Sequence, residues 1–349
     1  YLLWDTCYTL CDAPIFALPT AMTSSVKERS GFMTVGTVGG SLAAALATVF
    51  LVPYAENNGY LKAAIIVAVV SFLAMSLISL FGKERYKVKE EVLEKPASLR
   101  DTWEYLIHNK YLLYFYAYRM ISGSIAVSML IYVAKYCLGD VKYMSMVVAI
   151  SVIPICILFL FSGKIFKRFD KIVVYRFCMI ATVLMNAITL FVGYQNRTLA
   201  IACLVVIAVL AILPSILMGA IPQDCVEYGT YKTETRKEGI TFALQTFSNK
   251  LTAAVATIIT GGVLTFVGYD VAAEKAATEA HKVVEIAVSQ ATVSGMWKAS
   301  FIVPIIGQLL AIGFLFAYNL KDKDVQIMSD CNAGKITKAE AEALLSRKY

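Results

Sequence analysis

The sequence is poor in charge and nearly empty of the residues that carry enzymatic chemistry. Only 16% of its 349 residues are charged, and histidine occurs twice, at His108 and His281. Eight cysteines, Cys7, Cys11, Cys137, Cys156, Cys178, Cys203, Cys225 and Cys331, are scattered without a CxxC pair or a histidine at ligand spacing. They read as small core residues of apolar segments, not as disulfides or metal ligands. HExxH and GxSxG are missing too, so no enzyme is indicated and no cofactor or metal is expected. The chain opens at Tyr1 in an already apolar stretch, with no basic n-region and no signal-peptidase site. That opening is expected of a fragment lacking its amino terminus.

What the chain has in abundance is apolar surface. It is 58% hydrophobic with a mean hydropathy of +0.67, well above the roughly 45–50% apolar content of soluble domains. An all-α polytopic membrane protein follows, because helices satisfy their own backbone in lipid and need about 20 apolar residues to cross it. Nine segments qualify, near 1–22, 31–53, 62–82, 110–137, 143–162, 172–194, 199–221, 240–267 and 296–318.

Basic residues concentrate on alternate linkers. Lys27 and Arg29, the run Lys83 to Arg100, Lys164 to Lys171, Lys232 to Lys237 and the tail share one side, whereas the other has only Lys62, Lys142, Arg197, Lys275 and Lys282. This asymmetry places the first group and the C-terminus in the cytoplasm. It also accounts for the net charge of +7 without a nucleic-acid partner. The basic linker 83–109 divides a first group of helices, 1–82, from a second, 110–320, with a tail at 321–349. The first group reads as a six-helix bundle short of three helices.

Ionisable residues inside the spans require an explanation, since each costs at least ~2.5–3.5 kcal/mol at the bilayer centre and marks a functional candidate. Lys110, Lys135, Arg176 and Lys298 lie near helix ends and can snorkel to headgroups. Arg119 and Lys250 lie deeper, Lys250 roughly 16 Å past Gly239 at about 1.5 Å per residue. On the opening helix Tyr1, Asp5, Tyr8, Thr9, Asp12 and Phe16 fall on one face, a hydroxyl, carboxylate and aromatic stripe that suits water and not lipid. The alternative is a buried helix whose carboxylates pair with Arg119 or Lys250 only to hold the bundle together. Gln245, Thr246, Asn249 and Thr257 give Lys250 polar company. Carboxylates, amides, a cation and aromatic rings together suit a polyhydroxylated solute. Arg119 points to an anionic sugar if it faces the cavity, and to an acid as partner otherwise. Gly36, Gly40 and Ala44 recur every four residues, a stripe that lets a neighbouring helix approach closely.

Two stretches carry a family resemblance. "WDTCYTLCDAPIFALPTAMTSSVKER" and "PQDCVEYGTYKTETRKEGITFALQTFSNK" resemble the fourth helix and its loop, and the loop and eleventh helix, of the glycoside-pentoside-hexuronide:cation symporters. This is a branch of the major facilitator superfamily. The resemblance implies twelve helices in two bundles, of which helices four to twelve are present, working by alternating access as a monomer. It implies that Asp12 serves both sugar and cation, with Thr9 at the cation, and that Tyr8, Phe16, Gln245, Thr246 and Lys250 serve the sugar. Asp224, Glu227, Tyr228 and Arg236 would form a gating loop, where charge alone would indicate only a solvated one. Thr37, Ser215 and Asp5 depart from the sugar site of a melibiose-transporting member. The function implied is cation-coupled sugar import across a bacterial inner membrane, with sodium and proton both open. A lipid or amphiphile carrier and a non-transporting sugar sensor are the alternatives.

Overall fold

The computed structural model describes residues 6–7, 35–36, 39–40, 42–81, 99–126, 129–234, 238–270, 288–347 and 349. Tyr8, Thr9, Asp12, Phe16, Thr37 and Arg236 lie outside them. Among the described residues the regular structure is all helical. The chain divides into two compact units, Tyr1–Pro96 and Ala97–Tyr349. In the first, a π-helical turn Ala47–Leu51 leads into α1 (Val52–Asn58), and Gly59, at φ +92°, separates it from α2 (Tyr60–Phe81).

The second unit is built from α3 (Leu99–His108), α4 (Lys110–Ser124), α5 (Lys142–Arg168), α6 (Lys171–Val192), α7 (Arg197–Leu210) and α8 (Ile212–Thr233). It continues with α9 (Glu238–Phe266), α10 (Gln290–Ala317), α11 (Asp322–Asn332) and α12 (Lys338–Leu344). Among the described residues, six stretches are long and apolar enough to cross a membrane: Tyr60–Leu77, Lys142–Phe166, Lys171–Val192, Arg197–Thr233, Ala243–Phe266 and Gln290–Ala317. Apolar side chains stand outward on these helices, Phe191 at 87% and Phe266 at 91% exposure, as a lipid-facing surface requires.

Two expected spans are interrupted. The segment expected over 110–137 stops at Ser124 and resumes as Leu130–Tyr132 and a π-helical turn, Val133–Cys137. The sequence Ser122-Gly123-Ser124 precedes the break, and glycine and serine neighbours are where helices yield. Packing holds the broken end, since a Cβ on Gly307 of α10 would meet Ile125 at 2.7 Å. The segment expected over 199–221 divides at Ala211. Pro214 offers no N–H to the carbonyl four residues back, so the first helix ends there. The second then runs through Pro222 to Thr233, and what sequence alone makes a loop at Asp224, Glu227 and Tyr228 is helix.

Two buried clusters close the ends of the second unit. One gathers Tyr111, Phe115, Tyr175, Leu217, Tyr228, Tyr318 and Met328, where the tail docks. The other gathers Met129, Leu138, Leu204, Leu264, Trp297 and Phe301 at the far end. Close approach depends on Gly229, where a Cβ would stand 2.7 Å from the Tyr105 hydroxyl and 2.8 Å from the Asn109 amide. By contrast, nothing among the described residues lies within 4 Å of a Cβ at Gly36 or Gly40, so the small-residue stripe legible in sequence is not where the described helices meet.

The tail is part of this unit and not merely a surface helix. Asp324 on α11 is fully buried and accepts hydrogen bonds from the Ser346 N–H (2.9 Å), the Ser346 hydroxyl (2.6 Å) and the Tyr349 hydroxyl (2.5 Å). Tyr349 packs edge-on to Tyr111 and Tyr228, and its carbonyl accepts from Lys232 Nζ. Burial works against the Asp324 carboxylate, but the hydrogen bonds outweigh it and hold its pKa below the ordinary aspartate value. A lowered native pKa gives stability that is present above the unfolded value and lost as pH falls through the native one. Asp324→Ala strands three donors at a cost of about 1–3 kcal/mol. The expected result is protease cleavage between α11 and Tyr349 in the variant at neutral pH, and in the unaltered protein only on strong acidification.

Candidate functional site

Between the two clusters, α4 and α9 pack along a seam that is polar where membrane helices are ordinarily apolar. Its closest point is Gly123, where a Cβ would stand 2.5 Å from Thr252 Cγ2. Arg119 lies one turn before Gly123 and Asn249 one turn before Thr252, so the same approach brings them together. Arg119 Nη2 donates to Asn249 Oδ1 at 3.3 Å. Lys250 follows Asn249, near the middle of a helix that runs from Glu238 to Phe266. Thr246, Asn249, Lys250 and Thr257 are all exposed, whereas Ser248 on the opposite side of α9 is buried. Of the deep cations expected from sequence, Arg119 lies in this seam and Lys250 on the exposed face of α9.

Gln245 is placed differently. It is half-buried against α8, where its Nε2 donates to the Met218 carbonyl at 3.4 Å. Pro222 explains that acceptor, because it lacks the N–H that would have closed the bond to residue 218. The other amide atom, Oε1, is buried without a partner among the described residues. Gln245 thus joins α9 to α8 immediately before Thr246, on a face different from that of Lys250. Two further side chains bind backbone across helices: Asn109 Nδ2 donates to the Cys225 carbonyl (2.7 Å) and the Tyr116 hydroxyl to the Thr241 carbonyl (2.8 Å).

At the tail end a second polar cluster forms. Lys171, the first residue of α6, reaches both carboxylate oxygens of Asp224 at 2.7 and 2.5 Å, and Asp322 at 3.8 Å. Asp322 also accepts the Lys171 backbone N–H at 3.1 Å, a carboxylate at a helix N-terminus, where the dipole favours it. Burial raises the Asp322 pKa, with Lys171 opposing. Glu227 accepts from Asn332 at 2.9 Å, and Lys338 pairs with Glu234 at 2.8 Å. Arg176 does not reach for headgroups. Its guanidinium donates to the Leu315 (3.2 Å), Phe316 (3.3 Å) and Tyr318 (2.5 Å) carbonyls, so it caps the carbonyls that a helix end leaves over. Asp224, Glu227 and Tyr228 are brought together on one helix face with α6 and the tail. Lys171 and Asn332, which complete this network, carry no local motif and become visible only when the helices are packed.

The Asp224–Lys171 pair is largely withdrawn from solvent, at 13% and 23% side-chain exposure. Removing one partner of such a pair leaves the other charge uncompensated. Asp224→Asn and Lys171→Met are each expected to lower stability by on the order of 3 kcal/mol. The double variant is expected to lose less than the sum, a coupling read by chemical denaturation in detergent.

Comparison with known proteins adds the family. The sequence profile described as MFS/sugar transport protein matches residues 1–322. A proposed sulfoquinovose importer of Escherichia coli (strain K12) is 26% identical over 332 residues, covering 92% of this chain and 68% of that relative. The uncharacterized symporter YjmB of Bacillus subtilis (strain 168) is 27% identical over 279 residues, covering 77% and 60%. A lactose permease of Lactobacillus delbrueckii subsp. bulgaricus is 25% identical over 270 residues, covering 73% and 43%. These relatives are transporters, and the resemblance read from the two sequence stretches extends over residues 1–322. With its apolar spans and outward-facing apolar side chains, this chain is an integral membrane protein that belongs to the MFS/sugar transport protein family.

Proposed function

We propose that the protein is a secondary active transporter carrying a glycoside, pentoside or hexuronide together with a sodium ion or proton, by alternating access. The observation that carries this reading is the exposed polar face Thr246, Asn249 and Lys250 in mid-span, with Arg119 against it, in a member of a sugar-transport family. Hydroxyl, amide and ammonium groups offer a sugar both donors and acceptors. Their retention in lipid costs energy that only a function or a partner offsets. Within this reading, Lys250 and Thr246 bind the sugar, and Tyr8 and Phe16 contribute to the same site. Asp12 is shared by sugar and cation, and Thr9 assists at the cation.

The chain corresponds to helices four to twelve of a twelve-helix fold, acting as a monomer in a bacterial cytoplasmic membrane with its C-terminus inside. The basic linkers support that orientation. The cluster Asp224, Glu227 and Tyr228, extended by Arg236, then lies at the cytoplasmic end as a gate that opens when its ion pairs part. Cation and sugar raise each other's affinity by the same factor, as linkage demands.

Uptake by the full-length protein, reconstituted in proteoliposomes, tests this reading. Asp12→Asn is expected to abolish accumulation driven by a cation gradient. Normal cation-stimulated accumulation in that variant would sink the assignment. Lys250→Ala is expected to weaken sugar binding about tenfold or more, the equivalent of 1.4 kcal/mol, and an unchanged calorimetric affinity would count against its role.

A further inference from the structure

The cations of the second unit differ in how they are compensated. At the tail end Lys171 has two carboxylates, and Lys338 and Lys335 have one each. Arg119, in mid-span and half-buried, has no such acid among the described residues. Its one hydrogen bond there goes to a neutral amide, Asn249 Oδ1. A guanidinium has five N–H donors in a rigid fork, so four remain. An uncompensated cation at this depth is costly. A guanidinium with donors to spare beside a neutral amide has the composition of an anion receptor.

The geometry is also fixed in a way a receptor requires. Gly123 lets α9 approach α4 so closely that Thr252 fills the place of a Cβ, which sets the height of Arg119 against Asn249. The Asn249 oxygen then holds one arm of the fork, which reduces the side-chain freedom an incoming anion would otherwise have to restrict. Asn249 keeps its own N–H donors for a neighbouring oxygen. A planar fork held at one corner suits a carboxylate or sulfonate, whose oxygens accept two parallel hydrogen bonds, and a lysine in its place would supply charge without that geometry.

We propose that Arg119, held by Asn249, binds an anionic substituent of the substrate, so that the transported sugar carries a carboxylate or a sulfonate. This rests on the sugar-transport reading and narrows it to acidic sugars. The orientation by Asn249 makes Arg119 a specificity-determining residue and Asn249 a positioning one.

The test is a titration of the full chain in detergent with methyl glycosides of one ring that differ only at C6: hydroxymethyl, carboxylate, or sulfonatomethyl. It is run in both the gluco and the galacto series. In at least one series an acidic glycoside is expected to bind about tenfold or more tightly than its neutral partner, and the preferred acid separates carboxylate from sulfonate. Arg119→Gln is expected to bring acidic and neutral glycosides within about twofold of each other while neutral binding persists, and Arg119→Lys to keep part of the preference. Asn249→Asp, which places an internal acid on the fork, is expected to weaken acidic glycosides alone. Equal affinity of acidic and neutral forms in the unaltered protein, or a preference that survives Arg119→Gln, overturns the proposal and leaves the sugar-transport reading standing. Absence of binding by every glycoside overturns both.

Discussion

The constraint on which the second unit depends is the backbone carbonyl left over where a membrane helix bends or stops. In water such a group finds a solvent molecule, whereas in lipid it must be met from within. The unit meets several of them by side chains from other helices. Pro222 frees the Met218 carbonyl and Gln245 supplies the donor. The end of α10 frees three carbonyls and Arg176 covers them. Asn109 and Tyr116 perform the same service for Cys225 and Thr241. Each of these bonds joins elements distant in sequence, so satisfying the backbone and tying the bundle together are one act.

This explains where polar side chains are spent. Gln245, Arg176, Asn109 and Tyr116 are committed to backbone groups. Lys171, Asp224 and Asp322 are committed to one another. Thr246, Asn249 and Lys250 are exposed in mid-span.

Much of the fold was legible because hydropathy and length decide it: the all-helical class and the apolar stretches among the described residues follow from what lipid tolerates. The boundaries were legible less well. The break after Ser124 and the division at Ala211 depend on Gly307 meeting Ile125 and on the carbonyl that Pro214 leaves unpaired, and neither is a property of a window of residues. For the same reason Arg176 reads in sequence as a residue for headgroups, although its partners stand some 140 residues away. Lys250 and Arg119 could be singled out, since a charge in an apolar run is visible without a structure. That Arg119 meets Asn249 could not, because it depends on one small residue, Gly123, against one threonine. Tyr8, Thr9, Asp12 and Phe16, on which the cation argument turns, lie outside the described residues and rest on resemblance.

The two polar clusters are mechanically adjacent even though their chemistry differs. α8 carries Asp224, which Lys171 holds, and six residues before it the Met218 carbonyl, which Gln245 holds. Gln245 is five residues from Lys250 on α9, less than one and a half turns at 3.6 residues per turn. A movement of α8 at the tail end, such as parting of its ion pair, therefore bears on the same stretch of α9 that presents the polar face. The coupling needs no long chain of contacts. It passes through one proline, whose missing N–H makes the carbonyl available, and through one amide that takes it. A helix with an unbroken hydrogen-bond ladder at position 222 would leave Gln245 without that acceptor and the two clusters without this link.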